Sequence, residues 1–318
     1  MMASSLAESV VFVKALSQLS DRVRSPQDLF ERPSWLHFDA NVGSVRHDLL
    51  QLDLPSVVIE RLLALETRPS LTRFGSGLFI SLRGINLNSA EDPVDMISLR
   101  VWLQEDLIVT VRQQVLTSVQ AVRADLDAQD GDFRPQQILT RLLAALSDRI
   151  ATFLEELAGE TDGLEDELED QLKVIDAAHV AELRRKIASI RRYLSPQRDA
   201  LLELARGHGG ILNSRETDDI DLQASRLVRY VEDLDLMRER VVFVQEGINT
   251  RMQESQNKKI NNLSLLAGIF LPATFLTGVF GMNVGGLPGT ESANGFYWVL
   301  GVMAVTSGLL VAWLRAKP

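Results

Sequence analysis

Cysteine is absent from all 318 residues, which removes disulfides, thiolate metal sites and thiol nucleophiles together. Histidine is scarce: His37, His47, His179 and His208 lie far apart, with no HxxxH or HExxH spacing among them. There is no GxxxxGK(S/T) phosphate loop and no GxSxG elbow, so nothing supports catalysis and no cofactor is expected. Positive charge is in short supply as well. Thirty-three Lys and Arg against 43 Asp and Glu leave a net charge of −10, which disfavours nucleic acid and anionic surfaces and favours cations. The opening MMASSLAESVVFVKALSQ lacks the basic start and continuous apolar run of a signal peptide, and the bulk of the chain is expected to stay in the cytosol.

Charge itself then goes missing along one stretch. It is dense as far as Lys259, but from Ile260 to Tyr297 the only charged residue is Glu291, and the next is Arg315. LSLLAGIFLPATFLTGVF (263–280) and FYWVLGVMAVTSGLLVAWL (296–314) hold 18 and 19 residues without a charge. Each can cross a hydrocarbon core about 30 Å thick. Lys258 and Lys259 precede the first, Arg315 and Lys317 follow the second, and the connecting loop has neither Lys nor Arg. The positive-inside rule therefore places both termini in the cytosol. Tyr297, Trp298 and Trp313 stand where interfacial aromatics belong.

Ahead of this hairpin the chain reads as α+β and then as helix. Short β-type runs occur at 71–84, 96–104 and 107–114, separated by breaks such as NLNSAEDP at 86–93. Helical spacing starts with PQQILTRLLAALSDRIATFLEEL (135–157), where Pro135 suits a first turn, and continues to GHGG at 207–210. A further helix is expected from about Thr217, with no strong breaker before Pro272. Ile220, Leu227, Tyr230, Leu234, Met237, Val241, Val244 and Ile248 form a heptad seam along it, Gln223 being the polar exception. Unbroken to Phe280, this helix is a stalk roughly 90 to 95 Å long. The expected divisions are 1–115, an α/β domain; 116–216, a helical hairpin region; 217–262, the stalk; 263–282 and 296–314, the spans; and 283–295, the outer loop.

One stripe of the first span merits separate treatment. Asn257, Ile260, Ser264, Ala267, Leu271, Thr274, Gly278 and Gly281 alternate steps of three and four, and most are small or weakly polar. Small residues also let membrane helices approach closely, so a packing face is the plainer alternative. The stripe nevertheless runs from Asn257 toward Asn283, and the stalk face above it (Glu239, Phe243, Glu246, Thr250, Gln253) is mostly polar. A wet axis fits that pattern. A single helix cannot enclose a channel, so a pore requires a homo-oligomer.

The loop after the first span reads FGMNVGGLPG (280–289). GMN at 281–283, directly after a hydrophobic helix carrying Pro272 and Thr274, resembles the CorA superfamily of divalent-cation transporters. VGGLPG departs from the magnesium-transporting branch and is similar to the zinc-transporting ZntB branch. The upstream stretch RYVEDLDLMRERVVFVQEGINTRMQESQNKKINN and NLNSAEDPVDMISLRVW fit that branch too. The resemblance implies a funnel-shaped homopentamer in a bacterial inner membrane, with the first span lining the pore. It implies cation entry at Gly281, Met282 and Asn283, and pore positions at Asn257, Ile260, Leu271, Thr274 and Gly278, with Leu263 or Ser264 beside them. It implies Zn2+ as cargo, with Cd2+, Ni2+ or Co2+ as further candidates and a Mg2+/Co2+ channel as the alternative. Proton-coupled uptake is inherited from the resemblance alone, since neither span contains an acid or a His.

The physics of an amide entrance stands independently. Stripping water from a divalent ion is costly, and a neutral carbonyl such as that of Asn283 can hold the hydrated ion by its waters. Strong zinc capture uses Cys and His, and the hairpin has neither, which favours passage over capture. Glu291 is a candidate for drawing cations in, equally readable as a solvated loop residue. Nine of the sixteen residues from Glu155 to Asp170 are acidic, without Lys or Arg, and are expected to form a solvated hairpin tip or a cation-gathering surface.

Overall fold

The computed structural model describes residues 9–16, 33–65, 67–88, 92–170, 172–207, 210–282, 287 and 293–316. Among these, chain packing divides the protein into two compact units, 1–245 and 246–318.

The first unit is built on a six-stranded sheet of order β1-β2-β6-β5-β4-β3. The strands are β1 (Val10–Ala15), β2 (Ser34–Asp39), β3 (Ser70–Phe74), β4 (Gly77–Gly84), β5 (Ile97–Leu103) and β6 (Leu107–Arg112). Among the described strands only β2 and β6 pair in parallel. Strands β4 to β6 are almost wholly buried, which is why they read as continuous apolar runs rather than clean alternation. Two short helices, α1 (Val45–Leu50) and α2 (Ser56–Leu63), cover one face through Val45, Leu49, Val58, Ile59 and Leu62 against Leu36, Phe38, Phe79, Trp102, Val109 and Val111. Gly77 is required there, because a Cβ at this position would stand 2.2 Å from the Trp102 ring.

Helices α3 (Thr117–Ala128), α4 (Pro135–Glu169) and α5 (Ala177–Ala205) complete the unit. Pro135 opens α4, and the Gln137 side chain accepts from the backbone N–H of Arg134 at 3.0 Å. The helical run expected to continue through 171 is interrupted: α4 ends at Glu169, and Asp176 caps α5 by accepting from Ala178 N at 2.8 Å. Gly207, at φ +87°, takes the left-handed conformation just past α5.

Helix α6 (Ser214–Phe280) contributes 67 residues to both units. It starts three residues before the expected Thr217. The reason is a reciprocal cap: Asn213 Oδ1 accepts from Glu216 N at 2.9 Å, and Glu216 Oε2 accepts from Asn213 N at 2.8 Å. The heptad seam is covered as expected, with Ile220, Leu227, Leu234, Met237, Val241 and Val244 buried and Tyr230 and Ile248 half-buried. Gln223 is buried too, its carbonyl taking a bond from Arg226 at 3.2 Å. The second unit consists of the later part of α6 and of α7 (Gly295–Ala316), and both helices are long and apolar enough to cross a membrane.

Candidate ion pathway

In the second unit α6 has two unlike faces. Leu265, Gly268, Ile269, Pro272, Ala273, Leu276 and Val279 are half-buried. They recur at three-four spacing, and α7 has a matching half-buried stripe at Gly295, Val299, Met303, Thr306, Ser307 and Leu310. Each helix thus covers one stripe, the pattern of a packed hairpin. The sequence-derived residues Asn257, Ile260, Ser264, Ala267, Leu271, Thr274 and Gly278 all lie on the other face of α6, and every one is exposed. Leu271 is 75% exposed. The stalk positions Glu239, Phe243, Glu246, Thr250 and Gln253 are exposed as well.

The end of the span is closely wound. Thr277 Oγ1 donates to Thr274 O at 3.0 Å, Gly281 N to Thr277 O at 2.8 Å, and Met282 N to Val279 O at 3.4 Å. A Cβ on Gly281 would lie 2.8 Å from the Thr277 carbonyl oxygen, so only glycine fits without a shift. Gly281 and Met282 are exposed. Asn283 and Glu291 lie outside the described residues.

The remaining polar candidates resolve differently. His37 is buried, stacked on Phe12 at 5.1 Å, and its Nδ1 meets Thr110 Oγ1 at 2.8 Å. Burial first, and the Arg112 charge second, push its pKa down to about 3, so it is a neutral part of the core at physiological pH. His47 meets Gln51 at 3.0 Å, His179 is exposed, and His208 lies outside the described residues. The acidic run of α4 is partly neutralised. Lys186 pairs with Glu160 at 3.6 Å, and Arg240 of α6 clasps Asp162 at 2.6 Å and Glu165 at 2.8 Å from its Nε. Among the described residues no three His, Asp or Glu side chains gather as a metal site. The partial neutralisation was invisible in the sequence, because the two cations come from α5 and α6 rather than from the run itself.

Comparison with known proteins bears on the same helices. The family model described as CorA-like Mg2+ transporter protein matches residues 30–316. The chain belongs to that family. It is 34% identical over 289 residues to the zinc transport protein ZntB of Pectobacterium atrosepticum, covering 90% of this chain and 87% of that protein. It is 35% identical over 270 residues to the divalent cation transporter CmaX of Pseudomonas aeruginosa, covering 84% and 81%. Among solved structures, full-length CmaX superposes with a TM-score of 0.83 at 31% identity, covering 97% of this chain and 98% of that one. The CorA magnesium transporter of Methanocaldococcus jannaschii gives a TM-score of 0.82 at 16% identity over 98% of both chains, a likeness of fold. The CorA-like fold therefore comprises the α/β domain, the long helix and two apolar helices. The relatives in this family are transporters, and the chain is grouped with them rather than with enzymes.

Proposed function

We propose that the protein carries Zn2+ across a bacterial inner membrane through a pore formed on the axis of a homopentamer. The observation that supports this most directly is the sidedness of α6: all seven stripe residues are exposed while a different face is half-buried. A row containing Ser264, Thr274 and Asn257, placed toward lipid, would waste polar groups; placed around an axis, it faces water. The stalk supports assembly in the same way. Leu222, Leu236 and Phe243 recur at seven-residue multiples, and are 57%, 56% and 62% exposed. Apolar residues at heptad spacing favour burial against other helices, and a second copy supplies them.

In this reading Gly281, Met282 and Asn283 form the outer entrance, where a ring of amides holds the hydrated cation, and Glu291 raises the local cation concentration. Thr274 and Ser264 offer hydroxyls to the ion's waters. Leu271 and Ile260 narrow the path with apolar side chains, a device that stops flow by dewetting. Zinc as cargo rests on the ZntB relatives, and the Mg2+ named in the family description is the competing reading.

The test is uptake into proteoliposomes, comparing Zn2+ with Mg2+, with and without a pH gradient, for wild type and Asn283→Ala. Zinc flux that Asn283→Ala reduces at least tenfold is the expected result. Magnesium flux without zinc flux moves the protein to the other branch, and no flux of either ion removes the pore.

A further inference from the structure

Arg100 lies in the middle of β5 and is fully buried. Strand register places it in a row across the sheet, with Ser70 and Ser81 on one side and Val111 and Phe38 on the other. The covering layer is α2, whose C-terminal carbonyl of Leu62 accepts from Arg100 Nη1 at a long 3.3 Å. Among the described residues that is its one hydrogen bond. Arg100 Nε and Nη2 have no hydrogen-bond partner among the described residues. The charge that acts on Arg100 is another cation, Arg83, and burial and that charge together lower its pKa only to about 10. It is therefore charged at neutral pH. A buried charge without a partner is among the costliest arrangements a fold can hold.

The orphaned atoms have a specific geometry. Nε and Nη2 form the side edge of the guanidinium, two parallel donors at the spacing of two oxygens on one atom. This protein uses that edge elsewhere for just such a task. Arg191 takes both oxygens of Asp235 with Nε and Nη2, and Arg240 takes both oxygens of Glu165 in the same way. At Arg100 no acid takes that edge among the described residues, and strand register sets Ser81 directly beside Arg100 and Ser98 two residues along on the same sheet face. Ser81, Thr67 and Ser98 form a hydroxyl chain, Ser81 donating to Thr67 at 3.0 Å and Thr67 meeting Ser98 at 2.9 Å. Arg83 holds the same segment by donating to Thr67 O and Met96 O, each at 2.7 Å.

We propose that Arg100 is the anchor of a buried oxyanion site in the α/β domain, taking one small anion with two adjacent oxygens, of the phosphate or carboxylate class. The anion bonds bidentately to Nε and Nη2, and the hydroxyls of Ser81, Thr67 and Ser98 turn to meet its remaining oxygens. The pore and its cargo play no part in this site. Its function is to complete the core under α2, so that the stability of the domain follows the oxyanion concentration.

The experiment is thermal unfolding of the purified full-length protein in detergent at fixed ionic strength, titrating inorganic phosphate, acetate, chloride or gluconate. The expected result is a wild-type Tm that rises with phosphate or acetate, by about 5 °C at a hundredfold excess over Kd, and little with chloride or gluconate. Whichever of phosphate and acetate acts at lower concentration identifies the class. Arg100→Met should unfold at a higher temperature than wild type in gluconate, since it removes an uncompensated charge, and should no longer respond to phosphate. Arg100→Lys keeps the charge without the two-donor edge and should lose most of the response. A wild-type Tm that does not depend on oxyanions, an equal response to chloride, or a phosphate response retained in Arg100→Met overturns the proposal.

Discussion

At the scale of single residues, Arg240 shows how sequence-distant charges decide local electrostatics. Its hydrogen bonds hold the Glu165 carboxyl below the usual carboxylate range, and Asp162 and Glu165 raise its own pKa. A carboxylate with a depressed folded pKa adds stability above its unfolded value, near pH 4.3, and that stability disappears as pH falls through the folded pKa. Arg240→Met should therefore cost about 1–2 kcal/mol at pH 7, reduced from a fully buried pair because both side chains are more than a quarter exposed. The difference from wild type should shrink as pH falls below the unfolded value and through the depressed folded pKa of Glu165, because the protonated carboxyl no longer pairs with Arg240. Melting curves from pH 3 to 8 check this, and a constant difference across that range would contradict it. Nothing in the acidic stretch 155–170 foretold the pairing. Arg240 is 75 residues from Glu165 along the chain, and only the packing of α4 on α6 joins them.

Single elements divide into those legible in advance and those not. Strands β4 to β6 and the long helices carried strong local signals, namely β-branched runs and sustained heptad spacing. Strands β1 and β2 and helices α1 and α2 did not. They are six to eight residues each, and their pattern is set by which sheet face they cover, a property of the assembled domain. The start of α6 was missed by three residues because Asn213 and Glu216 form a capping pair whose spacing resembles an ordinary polar loop. Asn213→Ala removes the acceptor for Glu216 N and should cost about 1 kcal/mol. Chemical denaturation read by far-UV circular dichroism checks it, with Asn213→Asp restoring most of the loss. A silent Asn213→Ala would mean that water replaces the cap without cost.

For the whole molecule, the sequence already separated a charged body from an apolar hairpin, and comparison with known transporters assigns the CorA-like family. What the sequence left open was whether the stripe from Asn257 to Gly278 packs or faces water. Periodicity cannot choose, since both uses have the same three-four spacing. The hairpin itself half-covers Leu265, Gly268, Ile269, Pro272, Ala273, Leu276 and Val279, none of them on the stripe, so the stripe is free to face an axis, lipid or a second copy, and the proposed pore takes the axis. The absence of cysteine makes that distinction testable without background.

The most direct measurement is cysteine accessibility during zinc uptake by proteoliposomes. Thr274→Cys lies on the exposed stripe and Leu276→Cys on the half-buried one, two residues apart at the same depth. A water-soluble, charged thiol reagent should block flux through Thr274→Cys by at least tenfold and leave Leu276→Cys and wild type unaffected. Block at Leu276→Cys with Thr274→Cys unaffected would place the pathway on the other face of α6 and contradict the account.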